Sequence, residues 1–248
     1  MKLVVCVSYV PDTASKINVS LDGKTVEQAG VTYILNPYDE FAIEEALKLK
    51  EKFSGEVDII SLGGDKNKES IQKALAMGAD NGILLKDDTY RDSMAIAFGL
   101  SEEIKTLNAD VVLFGKQSVD YDNGIIGQLT AELLGYNCVS VVTKLDITDK
   151  AVIAEREIEG GKEIVSTTLP VVITAQKGLN EPRYASLKGI MAAKKKVIAE
   201  KTPAQFESKL FIDKFTKPAP KQAGKIIGTD ASAAAELVRL LKEEAKVI

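Results

Sequence analysis

The chain contains no histidine and only two cysteines. Without histidine there is no imidazole acid–base chemistry and no Ser–His–Asp hydrolysis. Most catalytic zinc sites are excluded as well. Cys6 and Cys138 lie far apart and form no CxxC pair. This usage predicts a reducing compartment, and a prokaryotic cytoplasm is the expected location. No apolar run approaches the ~18–20 residues that a membrane span needs, so direct membrane insertion is not expected. The start, Met1-Lys2 and then LVVCVSYV, has the length of a signal-peptide core. It lacks a small-residue cleavage site and runs into Pro11-Asp12, so it reads as a buried first strand. The nucleotide fingerprints GxxxxGK[ST] and GxGxxG are both missing. Excess positive charge is missing too: the formal net charge is −4, which gives nucleic acid no electrostatic footprint. What remains is an ordinary globular composition, 248 residues with 45% hydrophobic and 27% charged. That length suits one large domain or two small ones.

The first 135 residues alternate apolar runs with helical patterns. Strands are expected at residues 3–10, 57–64, 82–86 and 110–115, and residues 18–35 are β-prone around the turn Asp22-Gly23. Helices are expected from Pro37, from about residue 65 to Ala76, at 91–107 and from Gly124 to Leu134. For the first helix, Asn36 stands at the N-cap, Pro37 at the first helical position, and Asp39 and Glu40 at the positive dipole end. Strand–helix alternation predicts an α/β fold: a doubly wound, mostly parallel sheet with helices on both faces. Residues 138–175 then become β-rich without helices, which predicts a β-rich extension. LKGIMAAKKK (187–196) reads as a short basic helix. Residues 200–228 carry Pro203, Pro218 and Pro220 and read as an extended arm. The chain closes in an amphipathic helix with Leu237, Leu240 and Leu241 on one side. The boundary is therefore drawn between an α/β domain at 1–199 and a C-terminal arm and helix at 200–248, which pack on a partner.

The densest polar cluster is GKQSVDYDNGIIGQ, residues 115–128. It follows a strand and opens a helix. Ligands of open α/β sheets bind beyond the carboxyl ends of strands, and a helix start favours an anion. Gly124 and Gly127 permit close backbone approach, and Asp120 can accept from a ribose hydroxyl. The same residues also suit an ordinary strand–helix loop. A calcium loop does not fit, because counting from Asp120 the glycine falls one position early and Ala131 stands where glutamate is needed. Two further loops, Ser61 to Gly64 and Asn36 to Asp39, belong to the same edge of the sheet. They are either turn and cap chemistry or two more walls of one crevice. EREIEGG (155–161) reads as a solvated hairpin, and Lys194 to Lys196 as a basic run without the aromatic platforms of a single-strand nucleic-acid site.

Several blocks in order match one family. The most specific is GLNEPRYASLKGIMAAKKK (178–196), with EREIEGG and LPVVITAQ upstream. NPYDEFAIEEALKLKE (36–51), ALAMGAD (74–80) and GKQ…D…GQLTAELLG (115–135) match as well. The chain resembles the beta subunits of electron-transfer flavoproteins. The resemblance implies a heterodimer with an alpha subunit that holds most of a redox-active FAD. It also implies an electron carrier with no substrate chemistry of its own, which takes electrons from flavin dehydrogenases such as acyl-CoA dehydrogenases and passes them toward a quinone reductase. Ordinary beta subunits hold a structural AMP, whereas the bifurcating branch holds a second FAD there and tends to read GRQAIDGDTAQVGP. Lys116, Tyr121 and Gln128-Leu129-Thr130 are more similar to the AMP branch. A free-standing adenine-nucleotide-binding regulator on the same sheet is the rival reading.

The three loops and the resemblance together give an expected nucleotide set. Cys6, Asn36, Pro37, Tyr38, Asp39 and Leu62 lie toward adenine and ribose. Gly115, Gln117, Asp120, Asp122 and Asn123 lie along the loop, and Gly124, Ile125 and Ile126 lie at the phosphate. Family members often carry polar side chains where this chain has Gly124-Ile125-Ile126, so phosphate contacts fall to backbone N–H groups. The resemblance also implies a docking loop with Leu187 as its apolar anchor and Pro182, Tyr184, Ile190 and Met191 around it. It further implies that Glu157 pairs with a group on the mobile flavin domain or the dehydrogenase. Lys188 and Ala192 replace a proline and a lysine common in relatives.

Overall fold

The computed structural model describes residues 1–221 and 223–248. Its centre is strand β1 (Lys2–Cys6), in which Leu3, Val4 and Val5 are fully buried. Burial of successive residues means that both faces of the strand are covered. Leu3 and Val5 face a layer built by α1 (Pro37–Phe53) and α2 (Lys68–Met77). Val4 and Cys6 face the opposite layer, built by α3 (Ser93–Leu107) and α4 (Ile126–Leu134).

Among the described residues the sheet has nine strands. Besides β1 they are β4 (Glu56–Gly63), β5 (Asn81–Lys86), β6 (Val111–Gly115), β7 (Asn137–Thr148), β8 (Ala151–Ile158), β9 (Gly161–Thr168), β10 (Val171–Ala175) and β11 (Ile198–Lys201). Their order is β11-β5-β4-β1-β6-β10-β7-β8-β9. The first seven in this order are mutually parallel, and β7-β8-β9 is antiparallel. The fold is thus a doubly wound α/β sheet, and the β-rich extension is a meander on its edge. The chain runs outward from β1 in both directions, to β4 on one side and β6 on the other. This makes β1 the switch point, where the connections diverge and leave a crevice at the carboxyl ends.

Local differences from the sequence reading have local causes. Residues 18–35 do not form a sheet of their own. A short antiparallel pair, β2 (Tyr9–Pro11) with β3 (Tyr33–Leu35), closes the segment, and Val19 and Val26 form one bridge. Asn36 stands at the N-cap of α1, but its side chain makes no cap bond. The fourth helix begins at Ile126 rather than Gly124, and the short helix α5 (Leu187–Ala193) ends before the lysine run. At the bulge in β7, Val141 takes φ +61°, and its N–H is recovered by the Thr174 hydroxyl at 2.8 Å.

The arm does not leave the domain at once. β11 runs parallel to β5 across residues 199 and 200, where the composition changes. Lys209 and Leu210 N–H groups donate to the Asp92 carboxylate at 2.6 and 3.1 Å, and Phe206 packs on Phe98 with ring centroids 5.1 Å apart. Phe215 N–H then donates to the Gly23 carbonyl at 2.8 Å. The last helix, α6 (Ala233–Glu243), buries none of its residues.

Candidate functional site

The crevice at the switch point has a volume of about 620 Å³. Three strand ends meet there: Cys6 at the end of β1, Leu62 and Gly63 at the end of β4, and Phe114 and Gly115 at the end of β6. Asp39 ties two of them to the start of α1. Its buried carboxylate accepts from Ser8 N–H at 2.7 Å, from Asn36 Nδ2 at 2.8 Å and from Gly115 N–H at 3.1 Å. Gly115 has to be glycine here. A Cβ would lie 2.4 Å from the Asp39 carboxylate and 2.7 Å from the Tyr38 backbone. Asn36 reaches across to the next loop instead of capping its own helix. Its Nδ2 also donates to the Gln117 carbonyl at 3.0 Å, and its Oδ1 accepts from Val119 N–H at 3.3 Å.

The loop 115–125 folds back on itself. Gln117 Nε2 donates to Asp122 at 2.8 Å, and Ser118 and Asn123 form a bridge. Asn123 Nδ2 donates to Ser93 Oγ at 3.0 Å, which pins the loop to the start of α3. Gly124 packs on the backbone of residue 116, where a Cβ would stand 3.3 Å from the Lys116 carbonyl. Gly127 sits tighter still, since a Cβ would come 2.6 Å from Thr174. These approaches aim the N-terminus of α4 into the crevice, and the first N–H groups of a helix have no partner within it.

Of the expected nucleotide set, Cys6, Asn36, Asp39, Leu62, Gly115, Gln117, Asp120, Asn123, Gly124 and Ile126 line this crevice. Pro37, Tyr38, Asp122 and Ile125 do not. Tyr38 lies behind Gly115, with the Lys116 ammonium 5.0 Å above its ring, and Ile125 faces solvent. Several wall residues escaped the sequence reading, among them Asn67, Arg91, Asp92 and Ile212. The signal for Arg91 and Asp92 was their place just after β5, since every parallel strand delivers a loop to this edge. Arg91 is buried against Asp87, with contacts of 2.7 and 2.5 Å. Ile212 had no local signal, because it arrives on the arm.

Burial sets the acidity of the crevice. It pushes the Asp39 carboxyl up to about 7, although donors from Asn36, Ser8 and Gly115 pull the other way. The Cys6 thiol is raised well above its ordinary value, first by burial and then by the neighbouring Asp39. Between the ordinary carboxylate value and about 7, the folded chain holds a proton at Asp39 that the unfolded chain has released. Stability therefore falls as pH rises through that window. The melting-temperature gap between the wild type and Asp39→Asn is expected to narrow from pH ~5 to ~8. A gap that widens would show the three donors outweighing burial.

The expected docking residues gather elsewhere. Tyr184, Leu187 and Met191 are 99%, 82% and 66% exposed, beside the half-exposed Ile190 and the partly covered Pro182. Leu187 and Met191, four residues apart, share one face of α5. Glu157, on β8, accepts from Gln176 Nε2 at 2.7 Å. Among the described residues, no cluster of Cys, Asp and Glu is placed to hold a metal, and no helix is long and apolar enough to cross a membrane.

Comparison with known proteins agrees with this arrangement. Residues 23–205 match the electron transfer flavoprotein domain. The electron transfer flavoprotein subunit beta of Syntrophomonas wolfei is 42% identical over 249 residues, spanning 100% of this chain and 98% of that protein. The subunit of the same name from Bacillus subtilis is 42% identical, with 100% of both chains covered. The mitochondrial beta subunit of Arabidopsis thaliana is 36% identical, again over 100% of both. A doubly wound sheet with its crevice at the switch point, matched end to end by proteins of one name, places the chain in the electron transfer flavoprotein family, among its beta subunits.

Proposed function

We propose that this chain is the nucleotide-binding and docking half of a two-subunit electron carrier. FAD, held mainly by the alpha subunit, supplies the redox chemistry. This chain builds one wall of the assembly, binds AMP in the switch-point crevice and presents the loop that flavin dehydrogenases recognise. Electrons then leave toward a quinone reductase. The crevice carries the reading of the bound group, because its features fit a mononucleotide. Its volume of about 620 Å³ lies within the range of small-ligand sites. The start of α4 offers backbone N–H groups to a phosphate, at a point where Gly124 brings the chain close. Asp120 offers an acceptor toward a ribose. Phosphate binding by backbone groups tolerates the apolar Ile125 and Ile126, because no side-chain donor is required. The unburied α6 and the open patch at Leu187 favour an assembled carrier over a self-sufficient regulator.

The test is the identity of the small molecules released when the purified two-subunit complex is denatured. One AMP and one FAD per dimer are expected. Two FAD per dimer would assign the crevice to a second flavin. No adenine nucleotide beyond the single FAD would end the crevice reading.

A further inference from the structure

The docking loop is fastened at both feet, and the fastening explains an oddity of α1. That helix buries two adjacent carboxylates, Glu44 and Glu45, which helices ordinarily leave in water. Both are covered by the approach to the loop. Arg183 grips Glu44 with two guanidinium contacts, Nε to Oε2 at 2.8 Å and Nη2 to Oε1 at 3.0 Å. Its backbone N–H adds a third at 3.1 Å, and Nη1 reaches Glu51 at 2.6 Å. Asn180 Nδ2 bridges Glu45 at 2.9 Å and the Phe41 carbonyl at 3.0 Å. The paired, forked geometry of an arginine on a carboxylate fixes orientation as well as distance.

The other foot stands on α2. Gly189, in the first turn of α5, lies against the Ala76 carbonyl so closely that a Cβ there would be 2.3 Å from the oxygen. The Lys196 ammonium donates to the carbonyls of Ala79 and Asp80, just past the end of α2, at 2.6 and 3.0 Å. Between these feet the Ser186 hydroxyl caps α5 by accepting from Gly189 N–H at 3.0 Å. Here the apolar Tyr184, Leu187 and Met191 stay exposed, together with Lys188, Lys194 and Lys195.

We infer that Arg183, Asn180 and Gly189 are positioning residues that hold the loop in its docking shape before a partner arrives. This inference rests on the docking reading above. A loop ordered in advance need not lose its freedom at the moment of contact, so a partner meets Leu187 already in place. Arg183 touches no partner in this role; it acts through Leu187.

The experiment uses the two-subunit complex and an acyl-CoA dehydrogenase that reduces the wild type. Arg183→Gln and Gly189→Ala are each expected to raise the dehydrogenase KM for the carrier about tenfold, with kcat, flavin content and nucleotide content unchanged. Arg183→Lys, which keeps the charge but loses the fork, should recover only part of that loss. Combining Arg183→Gln with Leu187→Ala should raise KM no further than the larger single change. Fully multiplied effects would show that Arg183 acts independently of Leu187, and would overturn the inference. Normal docking by both clamp variants, beside impaired docking by Leu187→Ala, would overturn it and leave the docking reading intact. Normal docking by Leu187→Ala would remove the docking reading and the inference with it. If Arg183→Gln fails to assemble, because Glu44 is left buried and unpaired, the outcome for Gly189→Ala decides.

Discussion

Removing residues 218–248 is expected to leave a folded α/β domain that no longer retains the flavin subunit. The cut belongs after Lys217 because hydrogen bonds between the arm and the domain continue up to that point. Arg91 Nη1 donates to the Ala204 carbonyl at 3.3 Å, Asp92 receives the 209 and 210 N–H groups, and Lys24 Nζ donates to the Asp213 carbonyl at 2.7 Å. Lys217 Nζ reaches Asn18 at 3.2 Å. A cut at residue 200 would instead strip β11 in part and leave Arg91 and Asp92 without these partners. Beyond Lys217 the balance reverses. Helix α6 has eleven residues, and isolated helices shorter than ~12–15 residues are marginal in water. Its internal ion pairs, Arg239 with Glu236 and Glu243, are exposed and screened by water, so they add little to its stability. Its apolar stripe of Leu237, Leu240 and Leu241, together with Val238, needs a surface to cover it. The alpha subunit supplies that surface in the proposed assembly, and obligate interfaces often exceed ~2,000 Å². Co-purification on a tag carried by this chain, read by flavin absorbance, checks the prediction. Full flavin retention by the shortened chain would show that the anchor lies elsewhere.

Leu187→Ala is expected to weaken docking of a flavin dehydrogenase by about tenfold to a hundredfold. The figure follows from transfer of one leucine side chain out of water into a partner's pocket, about 1.5–3 kcal/mol. Leu187 is well placed for it, since α5 starts at its own residue and the cap at Ser186 sets the direction. The loss is expected in KM, because Leu187 lies on α5, away from the elements that build the crevice. Lys188, Lys194 and Lys195 are exposed around it. They would steer an acidic surface and make the encounter rate fall with salt. Transfer kinetics across dehydrogenase concentration and ionic strength separate the two contributions. Normal transfer at low dehydrogenase concentration would exclude Leu187 as the anchor.

The residues that line the crevice divide by how they could be read. Cys6, Leu62 and Gly115 end apolar runs of a parallel sheet, so their strand ends were legible one by one. Asn36 and Asp39 read as helix-start chemistry. Their side chains instead join three chain segments, because the N-terminus of α1 is pressed against the end of β6 at Gly115. A cap needs only its own helix, whereas a cross-strut needs to know which strands are neighbours. The same limit applies to Glu44 and Glu45. On the helix alone they are a solvated acidic pair, and only the return of residues 180–183 over α1 buries them.

The sequence by itself determined the alternation of apolar strands and amphipathic helices, and with it the parallel sheet and the edge on which the crevice opens. Those are consequences of local periodicity and of the burial of both faces of a strand. It also determined the punctuation that matters most to the site, namely glycines at 115, 124 and 127, where the backbone has to approach closely. The order of the strands was decided only in three dimensions. With it came the convergence of β1, β4 and β6, the strut at Asp39, and the path of the arm that carries Ile212 to the crevice wall. Each of these joins segments far apart in the chain through hydrogen bonds between single groups. A pairing of that kind leaves no period in the sequence, because its free energy depends on where the rest of the molecule brings the partner.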